Sequence, residues 1–255
     1  MEISPVEKNL WCINDGVTRC YLAVGEKSAL LTDLGFPGLI DLKAEVRKLT
    51  GLPVTPVLTH GHWDHLGAVG DFPEFYVSPV EVPFLKNEII SRAAQFSYLG
   101  DADTICKKLL PRPMKEGDVF DLGGLKFTVT ELPGHTAGSV ALVNEAEGYM
   151  LSGDSFQSGA VLLHSSTSDI KKYYASLRKA LDSGVDRFYC AHGESCPLSR
   201  EQVRSIYNCA EDFVENSRRP EPFHLVIPGD DLWLYEHKFG GFQIFLGPVS
   251  DIPLE

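Results

Sequence analysis

Four short apolar runs in this chain each stop at a potential metal ligand, and that recurrence limits the fold more than any other feature. The first, Pro53 to Leu58, leads into THGHWDHLG at residues 59–67, which places His60, His62, Asp64 and His65 within six positions. FTVTELPGH ends at His135, GYMLSGD at Asp154 and RFYCAH at His192. A lone His or Asp after a strand is commonly a turn residue or a satisfied polar group. Four such endings together imply strands whose ends converge at one rim of a sheet.

Along an extended loop side chains alternate, so His60, His62 and Asp64 project to one side while the adjacent His65 points elsewhere. One loop can then serve two metal ions. Imidazoles and carboxylates crowded this closely lose solvation and repel when buried, unless a cation such as zinc or iron joins them. On its own, H-x-H-x-D-H also fits a surface histidine cluster. The three later segments weigh against that reading.

The other segments mix hairpins with helices. CYLAVG and SALLTDLG read as two strands joined by a tight turn, and Leu39, Leu42, Val46 and Leu49 fall at helical spacing before Gly51. Hairpins follow around Gly123–Gly124 and within SVALVNEAEGYMLSGD. DIKKYYASLRKALDSG reads as an amphipathic helix, and a second helix begins near the N-cap candidate Ser199. Without regular βαβ alternation a purely parallel sheet is disfavoured, and two mixed sheets with helices outside fit better. The fold class is thus α/β in the broad sense, or α+β. Residues 1–255 form a single domain, with a helical insertion at about 79–113 that could cover a site and a β-rich tail at about 221–255.

An apolar fraction of 44% supports a real core, and a formal charge of −12 without a basic patch argues against nucleic-acid partners. The start lacks a signal-peptide core and no apolar run reaches membrane-spanning length, so the reading is cytoplasmic with no membrane partner. The six cysteines show no CxxC spacing and are expected as reduced thiols. The expected partner is a small-molecule substrate. The sequence leaves homo-oligomer formation open.

THGHWDHLG, PGHTAGS, SGDS and AHG, in this order and at roughly this spacing, resemble the metallo-β-lactamase-fold superfamily over Cys20 to about Ser195. The resemblance implies a four-layer αββα sandwich with a metal site at the edge shared by its two sheets. It implies that His60, His62 and His135 bind a first metal, that Asp64, His65 and His192 bind a second, and that Asp154 bridges them. Asp33 matches the family's early aspartate, which supports the metal loop from behind; as a turn residue before Gly35 it fits equally.

The expected cofactors are two zinc ions, with iron or manganese as alternatives. Two divalent ions can bring the pKa of a shared water to about 7 and offset charge on an oxyanion. The expected function is hydrolysis of an ester, thioester, lactone or amide carbonyl, with Asp64 as the catalytic residue that orients the nucleophile or accepts its proton. The ligand set is hydroxyacylglutathione-hydrolase-like, although the strand-like tail departs from that group's helical C-terminal extension. A mononuclear iron sulfur-dioxygenase using His60, His135 and Asp154 is the alternative. A β-lactamase is disfavoured because those members generally lack the bridging aspartate, and a non-catalytic metal-binding protein because every ligand is kept.

Beyond the metal set, His164 reads first as a loop histidine and second as a pocket contact. His224 and His237 read as strand residues without visible partners, and Tyr98, Tyr173 and Tyr174 as undifferentiated pocket candidates. The aromatics of the tail, Phe223, Trp233, Tyr235, Phe239, Phe242 and Phe245, read as core or dimer contacts rather than a substrate cage.

Overall fold

Strands β1 (Glu2–Glu7), β2 (Leu10–Asn14), β3 (Arg19–Val24) and β4 (Ala29–Thr32) form an antiparallel meander in the computed structural model, which describes residues 1–216, 220–227 and 230–247. Helix α1 (Leu42–Leu49) then returns the chain so that β5 (Val54–Val57) pairs parallel with β4. The helix starts later than the periodicity suggests, leaving Leu39 exposed, because the Asp41 side chain accepts the Ala44 N–H at 2.9 Å and caps it there. Strand β6 (Glu74–Val77) follows. After α2 (Glu81–Ser91) and α3 (Ala102–Lys108), β7 (Leu110–Pro113) completes a seven-stranded sheet at its parallel edge.

The second sheet is built from two hairpins, β8 (Val119–Asp121) with β9 (Lys126–Glu131) and β10 (Val140–Asn144) with β11 (Tyr149–Gly153). Strand β12 (Ala160–Leu163) leaves this sheet. Helix α4 (Ile170–Asp182) brings in β13 (Arg187–Cys190), parallel to β11, and β14 (Leu198–Ser199) closes the edge. Helix α5 (Arg200–Asn216) opens with a reciprocal cap: the Gln202 N–H donates to Ser199 Oγ at 3.3 Å, and the Ser199 N–H donates to Gln202 Oε1 at 2.8 Å.

The two sheets face each other across a core that includes Leu10, Tyr21, Leu30 and Val57 from the first and Phe127, Val129, Leu142 and Tyr149 from the second. Helices α1, α2 and α3 cover the outer face of the first sheet, and α4 and α5 that of the second. This is the αββα sandwich.

The tail adds a third sheet to the expected two. Strands β15 (Glu221–Ile227), β16 (Asp230–Phe239) and β17 (Phe242–Leu246) join β12 in the order β12-β17-β16-β15. β17 carries Phe242, Ile244 and Leu246 into the same apolar cluster as α4 and α5, which is why it docks on β12 rather than extending outward. Positions 217–219, 228–229 and 248–255 of the tail region lie outside the described residues. All six cysteines are free, and among the described residues no helix is long and apolar enough to cross a membrane.

Candidate metal centre

Strand direction explains why distant residues meet. β9, β11 and β13 run the same way, so His135, Asp154 and His192 leave the second sheet at one rim, where the loop after β5 brings His60 to His65 from the first. Backbone bonds stitch the rim: the Val140 N–H donates to Thr59 O at 2.9 Å and the Arg19 N–H to Ala191 O at 3.0 Å. Trp63, Asp64 and His65 form one 3-10 turn, which changes the alternation expected of a fully extended loop. That turn lets Asp64 and His65 address one point while His60 and His62 address another.

The donor atoms fall into two groups. His60, His62 and His135 offer one set of atoms and Asp64, His65 and His192 another, each within 4.8 Å internally. His62 Nδ1 lies 2.9 Å from His135 Nε2, and His192 Nε2 lies 3.2 Å from both His65 Nε2 and Asp64 Oδ2. Asp154 stands between the groups, with carboxylate oxygens 3.4 Å from His65 and His192, 3.6 Å from His135 and 4.0 Å from His60. His60 Nε2 and Asp154 Oδ1 are buried and have no hydrogen-bond partner within the protein. Lone pairs aimed at one another in a buried site are the arrangement that a bound cation satisfies.

Electrostatics separates the two halves. Burial lowers His60 and His62 well below the usual histidine range, helped by neighbouring imidazoles, and pushes His135 down to about 4. These three are neutral donors. Burial acts against the charged Asp64 and Asp154 as well, but His65 and His192 hold both carboxyls well below the usual range. Against burial, Asp154, Asp64 and Asp33 hold His65 above its ordinary value.

Four of the five histidines are aimed by the nitrogen that faces away from the centre. His135 Nδ1 lies 2.7 Å from Leu162 O, His192 Nδ1 2.9 Å from Val17 O and His60 Nδ1 3.1 Å from Thr59 Oγ1. His65 Nδ1 lies 3.2 Å from Asp33 Oδ2. Asp33 is also near enough to His60 and His65 to form a third donor group. Its oxygens are already committed, since the Thr59 N–H donates to Oδ1 at 2.8 Å and the Thr59 hydroxyl to Oδ2 at 2.9 Å. Asp33 therefore orients the loop rather than facing the centre. Its φ of 59°, in the left-handed region where non-glycine residues are uncommon, is what turns the carboxylate inward.

Glu81, for which the sequence offers no signal, performs a similar task. Its buried carboxylate accepts the Gly61 N–H and the Gly138 N–H, each at 2.7 Å, tying the His60–His62 segment to the turn after His135. Glycine makes the other close approach. A Cβ on Gly134, whose φ is 144°, would stand 2.3 Å from Tyr173 Cα, so α4 packs directly on the turn that delivers His135.

The centre lies in a cavity of about 560 Å³. His62, Asp64, His135, Asp154 and His192 reach its wall. Apolar surface comes from Val17, Phe36, Trp63, Phe84, Leu162 and Ile227, and polar groups include Asn87, Glu88, Arg92, His164 and Asp230. His164, read first as a loop residue, stacks on His62 with ring centroids 5.5 Å apart, because β12 ends beside the centre. His237 and His224 do have partners: His237 Nε2 lies 3.3 Å from Asp212 Oδ2, and His224 Nε2 lies 2.5 Å from Asp231 Oδ1. The three tyrosines bond elsewhere, Tyr98 to Gly67 O, Tyr173 to Ser155 O and Tyr174 to Tyr207 and Glu211. Of the tail aromatics, Phe242 and Phe245 are buried whereas Trp233 is 72% exposed, and none lines the cavity.

Comparison with known proteins agrees with this geometry. A sequence model of the metallo-β-lactamase superfamily matches residues 13–192. A hydroxyacylglutathione hydrolase of Hamiltonella defensa is 28% identical over 81% of this chain and 70% of its own length. An acyl-coenzyme A thioesterase of Gallus gallus is 27% identical over 53% of each chain, so the present chain spans about half of that relative. A protein solved in a di-iron-bound form is 26% identical, with a TM-score of 0.58 over 73% of this chain and 92% of its own. From the family match across most of its length and the αββα sandwich bearing that family's histidine and aspartate cluster, the chain belongs to the metallo-β-lactamase superfamily, among relatives named as hydrolases.

Proposed function

We propose that the protein is a dinuclear zinc hydrolase acting on the acyl carbonyl of a small ester, thioester or lactone. The observation that carries this reading is the meeting of two three-residue donor groups at Asp154, on the wall of a cavity of small-molecule size. Under this reading His60, His62 and His135 hold one ion, Asp64, His65 and His192 the other, and Asp154 both. The donors are nitrogen and carboxylate oxygen with no thiolate, a set suited to zinc and also to iron or manganese.

When bound, a divalent pair supplies a nucleophilic water near neutral pH and offsets the negative charge that develops on a carbonyl oxygen. The chain's own residues do the remaining work. Asp64, with a side chain about one-fifth exposed to the cavity, is kept ionised by His65 and His192 and is placed to orient the attacking water by accepting its hydrogen bond. Asp33 and the carbonyls of Leu162 and Val17 fix the imidazoles, so little reorganisation is needed as charge develops. Phe84 and Trp63 provide apolar surface beside the centre for an acyl chain.

The names of the relatives, a hydroxyacylglutathione hydrolase and an acyl-coenzyme A thioesterase, support acyl chemistry. The decisive experiment is elemental analysis of protein purified without chelator, paired with a hydrolysis panel of thioesters, lactones and esters. Close to two zinc ions per chain with turnover of at least one acyl class is expected. One iron per chain with thiol-dependent oxygen consumption would instead establish the sulfur-dioxygenase reading.

A further inference from the structure

Where the end of α2 packs on Trp63 beside the metal centre, the cavity wall has an arrangement of charge that bears on which acyl compounds can enter. Arg92, just past the end of α2, is the only lysine or arginine among the described residues lining the cavity. Its Nη2 lies 2.6 Å from Asp230 Oδ1 at the start of β16, and its Nε lies 3.6 Å from Glu88 Oε2. The guanidinium carbon sits 4.7 Å from the centre of the Trp63 ring. All three charged side chains are largely shielded, with exposures of 22% for Arg92, 14% for Glu88 and 12% for Asp230.

A guanidinium in a ligand pocket is ordinarily the receptor for a carboxylate or phosphate. Here both its edge and its face are occupied by the protein, and the two carboxylates beside it outnumber its charge. An anionic group arriving at this wall would have to displace Asp230 from a shielded pair and would meet repulsion from Asp230 and Glu88. Nearby neutral polar groups, Asn87, Ser165 and Ser166, carry no such penalty.

We infer that the Asp230–Arg92–Glu88 group is a specificity device that rejects anionic leaving groups, so that the substrate of this site is an uncharged ester, lactone or thioester and not a glutathione or coenzyme A conjugate. The inference rests on the acyl-hydrolase reading and narrows its substrate class. It also gives the third sheet a role, because β16 brings Asp230 to the cavity and so closes the end of α2 against the tail.

The test holds the acyl group constant and changes the thiol. Acetyl thioesters of N-acetylcysteamine, which is uncharged, of glutathione and of coenzyme A are compared for kcat/KM on the zinc-loaded full chain. The N-acetylcysteamine ester is expected to be preferred by about tenfold or more, as like charges placed together suppress the wrong partner. Asp230→Asn is expected to lower that preference several-fold by raising kcat/KM for the glutathione ester, with Glu88→Gln shifting it the same way. In parallel, S-methylglutathione is titrated calorimetrically into both forms, and binding is expected only in Asp230→Asn. Equal or better turnover of the anionic thioesters by the wild type, or a preference unmoved by both variants, overturns the inference. If no acyl compound is turned over, the hydrolase reading fails, and S-methylglutathione still decides the matter: binding to the wild type overturns anion rejection, and binding only to Asp230→Asn supports it.

Discussion

The metal rim and the wall facing it are built on opposite plans. At the rim, the donor residues extend from the ends of core strands, and several are held from behind by a group on a different element, such as Leu162 O behind His135 or Asp33 behind His65. The facing wall is assembled from the end of α2 and the start of β16, elements far apart in sequence that meet through one shielded ion pair. The rim is over-determined and fixes the chemistry. The wall depends on few contacts and is the part that can change with substrate.

The sharpest way to break this contrast is to remove Asp154, the carboxylate that stands between the two donor groups. Asp154→Ala is expected to bring metal content below two ions per chain and to lower kcat/KM by roughly a hundredfold or more, checked by elemental analysis and steady-state kinetics. Gly134→Ala would force a Cβ into α4 at a residue with φ of 144°. A loss of about 2–4 kcal/mol in unfolding free energy is expected, read by denaturant titration. If stability were unchanged, the packing of α4 on the rim would not be as tight as described.

Glu81→Gln sharpens the comparison, because the residue braces the rim from behind, through the Gly61 and Gly138 N–H groups, and is not one of the seven donors. It keeps the shape but loses the charge that accepts two N–H groups, and about tenfold weaker metal binding is expected in a chelator competition, with the fold retained by circular dichroism. At the small end, Trp233→Ser on the exposed face of the tail should change stability by under about 0.5 kcal/mol and leave kcat/KM unaltered.

Much of the rim was legible because metal chemistry demands particular side chains and strands deliver them at their ends. His60, His62, Asp64, His65, His135, Asp154 and His192 could all be named from four short motifs, and the structure brings all seven together. The alternation argument was less exact, since the turn at Trp63–His65 rather than an extended loop divides the donors. Glu81 escaped notice because a glutamate in the first turn of a helix is ordinary in sequence, and only the approach of Gly61 and Gly138 makes it a brace. His164 does lie in a loop and His237 in a strand, but their neighbours, His62 and Asp212, come from other elements and could not be read from the sequence.

By itself the sequence determined the residue chemistry of the centre and the mixed hairpin pattern of the two sheets, because ligand type and hydrophobic period are local properties of the chain. Only the tertiary structure decided that β12 would leave the second sheet for a third, that the tail would reach the cavity, and that Arg92 would be paired rather than open to a ligand. Those outcomes depend on which apolar faces find each other across long separations, and on the cost of leaving a shielded charge without a partner.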